Sequence, residues 1–471
     1  MGGAAMLTQE ENELLTHVGP GTPGGDLLRR YWHPVAAAQQ LADDPVVPVR
    51  ILSENLTLFR DRRGNMGLIA QRCPHRMMDL RFGIPEEEGL RCGYHGWMFD
   101  TSGACIQMPL EPPDSTFKAK ISVTSYPVQE LGGLIWAYLG PEPAPLLPRW
   151  DLFIKPHGFR QIVAHWLPCN WLQVMENRGD LGHAIYLHGR LFQYALEKDG
   201  RLTDDPKARY NGAMKTQNDR MARGVYPMFR AIHNQFGLTK GNLDSDKPED
   251  APSWNIGTNP ILFPYLLAFG PGRKNIRQTY QMGVPIDDTH TWHIQYFCYM
   301  FPDEMDVPEQ DVIPYADVSL QDDHGKYILD NVLAQDMVAW YGQGEIADRT
   351  QEHLGVSDAC VIAYRQMLRD QINVVREGGE PMNVFRDLAT IDGPELALDP
   401  VGVDGMSLIN AGRTGDSGGA SFYRSNFHKV SKGGWLYLDD DVDKFCPDRS
   451  IIIEMYRQAD ELGEAKQRLK A

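Results

Sequence analysis

Residues 73–97 read Cys73-Pro-His75-Arg-Met-Met-Asp-Leu-Arg-Phe-Gly-Ile-Pro-Glu-Glu-Glu-Gly-Leu-Arg-Cys92-Gly-Tyr-His95-Gly-Trp97. Two short loops, separated by sixteen residues, each bring one thiol and one imidazole to the same point in space. Two Cys and two His in this order suit a [2Fe–2S] cluster in which one iron takes sulfur and the other nitrogen. Neutral imidazoles in place of two thiolates remove negative charge and raise the reduction potential, which makes the cluster an electron relay. Pro74 stiffens the first loop, and Gly93 and Gly96 let backbone amides approach in the second. A Cys2His2 zinc site is the competing reading, but zinc fingers usually place both Cys before both His.

Around these loops the chain reads as short strands: Val47-Pro-Val-Arg-Ile-Leu, Leu56-Thr-Leu-Phe-Arg, Met66-Gly-Leu-Ile-Ala, Ser122-Val-Thr-Ser-Tyr-Pro-Val-Gln-Glu and Leu134-Ile-Trp-Ala-Tyr-Leu. Turn signals at Asp61-Arg-Arg-Gly-Asn and Asp100-Thr-Ser-Gly separate them. This is a small antiparallel β domain with the cluster loops at one tip. Residues 8–35 before it read as helical. The run Gly140-Pro-Glu-Pro-Ala-Pro-Leu-Leu-Pro after it reads as a connector. Domains are therefore expected at 1–40, a helical segment packing on the rest, 41–145 and 146–471. Beyond the connector, Gln278-Thr-Tyr-Gln-Met-Gly-Val and His290-Thr-Trp-His-Ile-Gln-Tyr-Phe-Cys-Tyr-Met read as adjacent antiparallel strands with one covered face. Tyr327 to Gln343 and Asp358 to Arg376 read as helices, the second capped by Ser357. Residues 195–255 are polar and weakly periodic, which predicts mobile loops.

The 471 residues allow two or three domains, and an apolar content of 42% fits a globular protein. No stretch approaches the ~18 apolar residues of a membrane span, and the start lacks the features of a secretory signal. The five residues ahead of Met6 read as an appendage. A net charge of −17 disfavours nucleic acid and anionic membrane surfaces as partners. Seven cysteines, an odd number without framework spacing, point to a reducing cytoplasm.

A second constellation lies in Asn170-Trp-Leu-Gln-Val-Met-Glu-Asn-Arg-Gly-Asp180-Leu-Gly-His183-Ala-Ile-Tyr-Leu-His188. Asp180 and His183 are three apart, so a helix would put them on one face. His183 and His188 would stand roughly 140° apart on an ideal helix, so binding one metal needs a break or a wide π-like turn between them. Gly182 and Gly189 make that tolerable. Two imidazoles and a carboxylate form the facial triad that holds Fe(II) with positions open for O2. Asp336 in Asn331-Val-Leu-Ala-Gln-Asp-Met-Val is the candidate carboxylate, although spacing alone does not select it among many acids.

Together these motifs resemble the oxygenase component of Rieske non-haem iron oxygenases, from about residue 10 to about residue 380. They are most similar to the phthalate dioxygenase-like branch, which includes aromatic-ring oxygenases and O-demethylases. Cys73-Pro-His75-Arg, Cys92-Gly-Tyr-His95-Gly-Trp, Asn170-Trp-Leu-Gln, Gln335-Asp336 and Asp348-Arg-Thr-Gln-Glu-His-Leu-Gly-Val-Ser-Asp358 carry the likeness. The resemblance implies an α+β fold: an antiparallel β Rieske domain, then a helix-grip (START-like) catalytic domain with an antiparallel sheet. It implies that Cys73, His75, Cys92 and His95 bind the cluster and that His183, His188 and Asp336 bind mononuclear iron. Asp180 would bridge a cluster histidine of one subunit to an iron-ligand histidine of its neighbour, in a head-to-tail trimer or a stack of two.

A partner reductase would deliver electrons from NAD(P)H, and O2 would be the co-substrate. The implied reaction is hydroxylation of an aromatic carboxylate, by phthalate-like ring dioxygenation, or alternatively O-demethylation of a methoxylated aromatic acid. A substrate carboxylate calls for an arginine, and Arg178, Arg190, Arg201 and Arg209 follow or adjoin the iron motif. The tail after 380, with Trp435-Leu-Tyr-Leu-Asp-Asp-Asp and Ile451-Ile-Ile-Glu-Met-Tyr, reads as an extension of a subunit contact. A different class, an electron-transfer iron–sulfur protein without catalytic iron, predicts that His183, His188 and Asp336 do not meet.

Overall fold

The computed structural model describes residues 6–155, 158–204, 209–248, 255–256, 260–269, 277–301, 304–386 and 447–468. Helix α1 (Gln9–Thr16) starts at a reciprocal cap between Thr8 and Glu11, and α2 (Pro23–Leu28) starts at Thr22 with Pro23 in its first turn. The expected helical reading of 8–35 ends there, because residues 32–37 are a strand, β1 (Trp32–Ala37). Pro34 explains the change: it lacks an N–H and drives His33 out of the helical region.

After α3 (Ala38–Asp43), β2 (Val46–Ile51), β3 (Glu54–Arg60) and β4 (Met66–Ala70) form a meander. A second antiparallel sheet holds β5 (Ile84–Glu86), β6 (Gly89–Arg91), β7 (Met98–Phe99) and β8 (Cys105–Gln107). Strand β9 (Ser125–Tyr126) returns to β4, while β10 (Val128–Leu131) and β11 (Leu134–Tyr138) join β1 in a third sheet.

The rest of the described chain is built on one nine-stranded sheet. Its elements are α4 (Asp151–Ile154), β12 (Gly158–Leu167), α5 (Trp171–Gly179), α6 (His183–Ile185), α7 (Phe192–Lys198) and α8 (Arg209–Ala222), then β13 (Pro227–Asn234), β14 (Gly237–Asp244), β15 (Asn255–Ile256), β16 (Ile261–Leu262) and β17 (Leu266–Phe269). They continue with β18 (Arg277–Asp287), β19 (His290–Met300), β20 (Tyr315–Asp317), α9 (Val332–Tyr341), α10 (Ala359–Arg376) and α11 (Arg449–Arg468). The strand order is β13-β14-β16-β17-β18-β19-β12-β20, with β15 on β14. All pairs are antiparallel except β12 with β20, so the architecture is mixed α+β.

Strands β18 and β19 pair as their alternation predicts, but both faces are covered rather than one. Tyr280, Ile294 and Tyr296 enter a core shared with Trp136 and Phe153. On the other face Phe159, Val163, Phe297 and Tyr299 pack with Leu333, Met337 and Trp340 of α9 and with Ile452 and Met455 of α11. The Ile451 stretch of the tail is thus a helix that packs Ile452 and Met455 on its own chain and leaves Ile451 exposed, and the Trp435 stretch lies outside the described residues.

Residues 195–255 also differ from expectation. They hold the end of α7, the helix α8 and the β13–β14 hairpin. Helix α10 begins at Ala359, where Asp358 rather than Ser357 caps the preceding turn by accepting from Gly355 N at 2.7 Å.

The two halves meet at the β2–β3 turn. Leu52 N donates to Pro285 O (3.2 Å) and Ser53 N to Ile286 O (2.9 Å), and Arg50 pairs with Asp287. Leu52 and Ser53 both sit at positive φ (47° and 66°), the backbone of a tight hairpin turn that side chains rarely adopt. The bonds to β18 and the complete burial of Leu52 offset that strain. Among the described residues no helix is long and apolar enough to cross a membrane.

Candidate metal centres

The two cluster loops are built alike. In the first, Cys73 N donates to Met78 O (2.9 Å) and Met77 N to Cys73 O (2.8 Å); in the second, Cys92 N donates to Trp97 O (2.7 Å) and Gly96 N to Cys92 O (3.0 Å). Met77 and Gly96 hold the same left-handed position, at φ 60° and 77°. The thiols of Cys73 and Cys92 are buried, whereas His75 is exposed and His95 half-buried.

The two imidazoles lie 4.5 Å apart, edge to face, and Trp97 stacks flat on His75 at 4.6 Å. Sulfur therefore gathers at an inner pole and nitrogen at an outer one, as a cluster with one sulfur-bound and one nitrogen-bound iron requires. Burial, with Cys92 beside it, pushes the Cys73 thiol up to about 12, so a thiolate forms there only against a cation. Burial together with His75 and Arg76 lowers His95, which favours the neutral ring that ligates metal.

The second site is assembled from three segments. Helix α5 is fixed at its start by Asn170, which caps Leu172 N and donates to Thr16 O and Asp288 O. Farther along, Glu176 is buried between Arg349 (2.7 and 2.8 Å) and Arg365 (2.5 Å), and Arg365 also pairs with Glu352. Burial raises the Glu176 carboxyl, but the two guanidinium groups outweigh it and hold it below its ordinary range. This network accounts for the Asp348–Asp358 stretch of sequence, which lends Arg349 and Glu352 to it.

Helix α5 ends at Asp180, whose Oδ1 accepts from Gly182 N (2.6 Å) and Oδ2 from His183 N (3.1 Å). Burial raises the Asp180 carboxyl, and these bonds together with His183 bring it below its ordinary value. The expected wide turn follows: residues Tyr186–Leu191 are π-helical, and this brings residues five apart back to one side. The His183 and His188 rings stand 5.1 Å apart. A side chain at Gly189 would meet Met214 Sδ at 3.0 Å, so glycine lets α8 pack on the turn.

Asp336 comes from α9, whose start Asn331 caps by accepting from Ala334 N. Its Oδ1 lies 3.2 Å from His188 Nε2 and 3.5 Å from His183 Nε2. Donor atoms of the three residues fall within 4.8 Å of one another, the one such gathering of three or more metal-binding side chains among the described residues. His188 Nδ1 lies 3.0 Å from Gln335 Oε1, which fixes the tautomer that turns Nε2 toward Asp336. Burial raises the Asp336 carboxyl, but His188, His183 and Arg178 bring it down to about 2. His183 Nδ1 is buried and, at 3.4 Å from Asp180 Oδ2, makes no aligned hydrogen bond. Two imidazoles and an ionised carboxylate are the donor set of a divalent iron site, and they fit it.

Of the candidate arginines, Arg178 is buried beside Asp336 and engaged with His293 and Trp340. Arg190 and Arg201 are on the surface, beside Glu197 (4.0 Å) and Asp330 (2.7 Å). The side chain of Arg209 lies outside the described residues. Gln335 entered the sequence reading only as part of the Gln335-Asp336 signature, without a role, and neither His293 nor Lys240, which donates to Arg178 O at the end of α5, was singled out. In sequence those two are ordinary polar residues of strands β19 and β14.

Comparison with known proteins agrees with this geometry. The profile of the Rieske [2Fe–2S] domain matches residues 31–127, and that described as LigXa C-terminal domain like matches 320–389. The chain is 39% identical to the 5,5'-dehydrodivanillate O-demethylase oxygenase subunit of Sphingobium sp. (strain NBRC 103272 / SYK-6), over 86% of this chain and 91% of that one. It is 31% identical to the phthalate 4,5-dioxygenase oxygenase subunit of Pseudomonas putida, over 79% and 88%. Its fold is like that of the terminal oxygenase of carbazole 1,9a-dioxygenase from Nocardioides aromaticivorans IC177 (TM-score 0.51, 19% identity, 79% and 97% covered).

Proposed function

Because the chain belongs to the Rieske non-haem iron oxygenases as an oxygenase subunit, we propose that it demethylates a methoxylated aromatic acid, using O2 and electrons that a partner reductase draws from NAD(P)H. The observation that carries the reading is the 39% identity to an O-demethylase subunit across 91% of that protein's length. The 31% identity to a phthalate dioxygenase subunit supports ring dioxygenation as the second reading. Convergence of His183, His188 and Asp336 argues against an electron-transfer protein without catalytic iron.

In this reading Cys73, His75, Cys92 and His95 hold the cluster, and His183, His188 and Asp336 hold the mononuclear iron. Iron bound there supplies reductive activation of O2 at open coordination positions. The balance is one methoxyarene, O2, NAD(P)H and a proton to one phenol, formaldehyde, NAD(P)+ and water. The face of β12, β18 and β19 that carries His293 also carries Gln161, Gln281 and Gln295. Each of these amides has a buried atom without a hydrogen-bond partner among the described residues. Such atoms cost about 1–3 kcal/mol each unless something satisfies them, which favours a substrate rich in oxygen.

Asp180 would link its own His183 to the His95 of a neighbouring subunit in a head-to-tail trimer, alone or stacked in two. Exposed Met77, Phe82 and Tyr94 around the cluster loops, and exposed Tyr186 beside the triad, favour such a contact. The test is incubation of the iron-replete chain with a reductase, NADH and methoxylated aromatic acids, with phthalate alongside. Formaldehyde matched to phenol product is expected; O2 uptake that yields a cis-dihydrodiol and no formaldehyde would reject demethylation.

A further inference from the structure

The two oxygens of Asp336 have different surroundings. Oδ1 faces both imidazoles and lies 3.4 Å from Asn177 Nδ2. Oδ2 is the oxygen nearer the guanidinium, 3.9 Å from Arg178 Nη1. The guanidinium is held from two further directions: it stacks over the Trp340 ring at 4.7 Å, and Nη2 lies 2.6 Å from His293 Nε2. His293 itself is packed between His165 (5.9 Å) and Trp340 (5.1 Å). A cation so enclosed cannot swing away, and its planar, fixed fork makes it more directional than an ammonium.

Resting on the reading that the triad holds iron, we infer that Arg178 is a positioning residue: anchored on His293 and Trp340, it keeps Asp336 Oδ2 turned away from the imidazoles so that Oδ1 alone is presented to the metal. A carboxylate binding through one oxygen leaves more of the coordination sphere for O2 than one binding through two. The charge also matters for burial. Without Arg178, Oδ2 would be left in the interior with its closest cation gone, and the carboxylate would gain by rotating both oxygens toward the metal.

The experiment is EPR of the ferrous nitrosyl adduct, with iron per chain and cluster absorbance, on the full chain and on Arg178→Met and Arg178→Lys. Wild type comes first: without a high-spin nitrosyl signal from iron-replete protein, the iron reading itself fails, whatever Arg178 does. Given that signal, Arg178→Met is expected to keep its cluster absorbance. Its nitrosyl line shape should shift while iron per chain is retained, because both oxygens of Asp336 can then turn toward the metal. Arg178→Lys should recover the signal only in part. A wild-type line shape in folded, iron-loaded Arg178→Met would overturn the inference.

Should that variant not fold, His293→Leu carries the test, because it removes an anchor and leaves the cation. The line shape should shift in the same direction, and His293→Gln, which keeps an acceptor, should restore it. An unchanged signal in His293→Leu would equally overturn the inference.

Discussion

The two metal centres are solved by opposite means. The cluster site is two local loops within residues 73–97, each closed by its own backbone bonds and each carrying half the ligands. The triad draws His183 and His188 from a distorted helix and Asp336 from another helix about 150 residues on, and it works only if α5, α9 and the β12–β19 sheet are already packed. A local site can be specified by a motif; a dispersed one must be specified by the core. The cluster loops should therefore tolerate changes in the core better than the triad does, and the triad should tolerate loss of the cluster.

Removing a ligand from each tests this separation most severely. Cys92→Ser should abolish cluster absorbance and all reductase-driven turnover while iron remains bindable at the triad. His188→Ala should do the reverse, keeping the cluster spectrum with product formation lost. Loss of both metals from either single change, measured by iron content and EPR, would show one cooperative unit instead of two.

The next largest effect lies in the packing that only the triad needs. Glu176 is nearly fully buried between Arg349 and Arg365, and Arg349 has no exposed side-chain surface at all. Glu176→Gln leaves two buried guanidinium groups short of a partner and should cost about 3–5 kcal/mol of stability. Denaturant unfolding followed by far-UV circular dichroism reads the loss, and cluster absorbance at low denaturant should be unchanged. Gln335→Ala is milder: with His188 Nδ1 no longer held, iron affinity at the triad should fall about 10–100-fold, read by competition with a chelator.

What could be read in the sequence follows the same division. The cluster needed only residue types and order, and the π turn followed from two histidines five apart between glycines. Asp336 did not follow from spacing, because what selects it is a contact between helices far apart in the chain. Arg178 in Glu176-Asn-Arg-Gly-Asp180 read as one of four candidates for a substrate carboxylate, and nothing in the sequence showed that it would be buried beside Asp336 against Trp340 and His293. Residues 195–255 misled because helix α8 and strands β13 and β14 are polar in sequence, although β14 is mostly buried and its Leu238 reaches the main core. Strand β1 was hidden within a helical pattern that Pro34 interrupts.

The finest form of the comparison is between the two cluster loops themselves. They share a hydrogen-bond scheme but put Met77 and Gly96 at the same left-handed position. A non-glycine residue there costs about 1–2 kcal/mol, and glycine in turn costs about 0.5–1 kcal/mol of unfolded-chain entropy. Met77 is exposed, so Met77→Gly removes the strain without losing packing and should change stability by less than about 1 kcal/mol. Gly96→Ala meets the strain in full and adds a contact, since its Cβ would lie 2.7 Å from Pro109 Cγ. It should cost about 1–3 kcal/mol, seen in the thermal midpoint and in faster loss of cluster absorbance on heating. Equal tolerance of the two substitutions would mean that the loops are interchangeable, and that the glycine in the second owes nothing to its backbone.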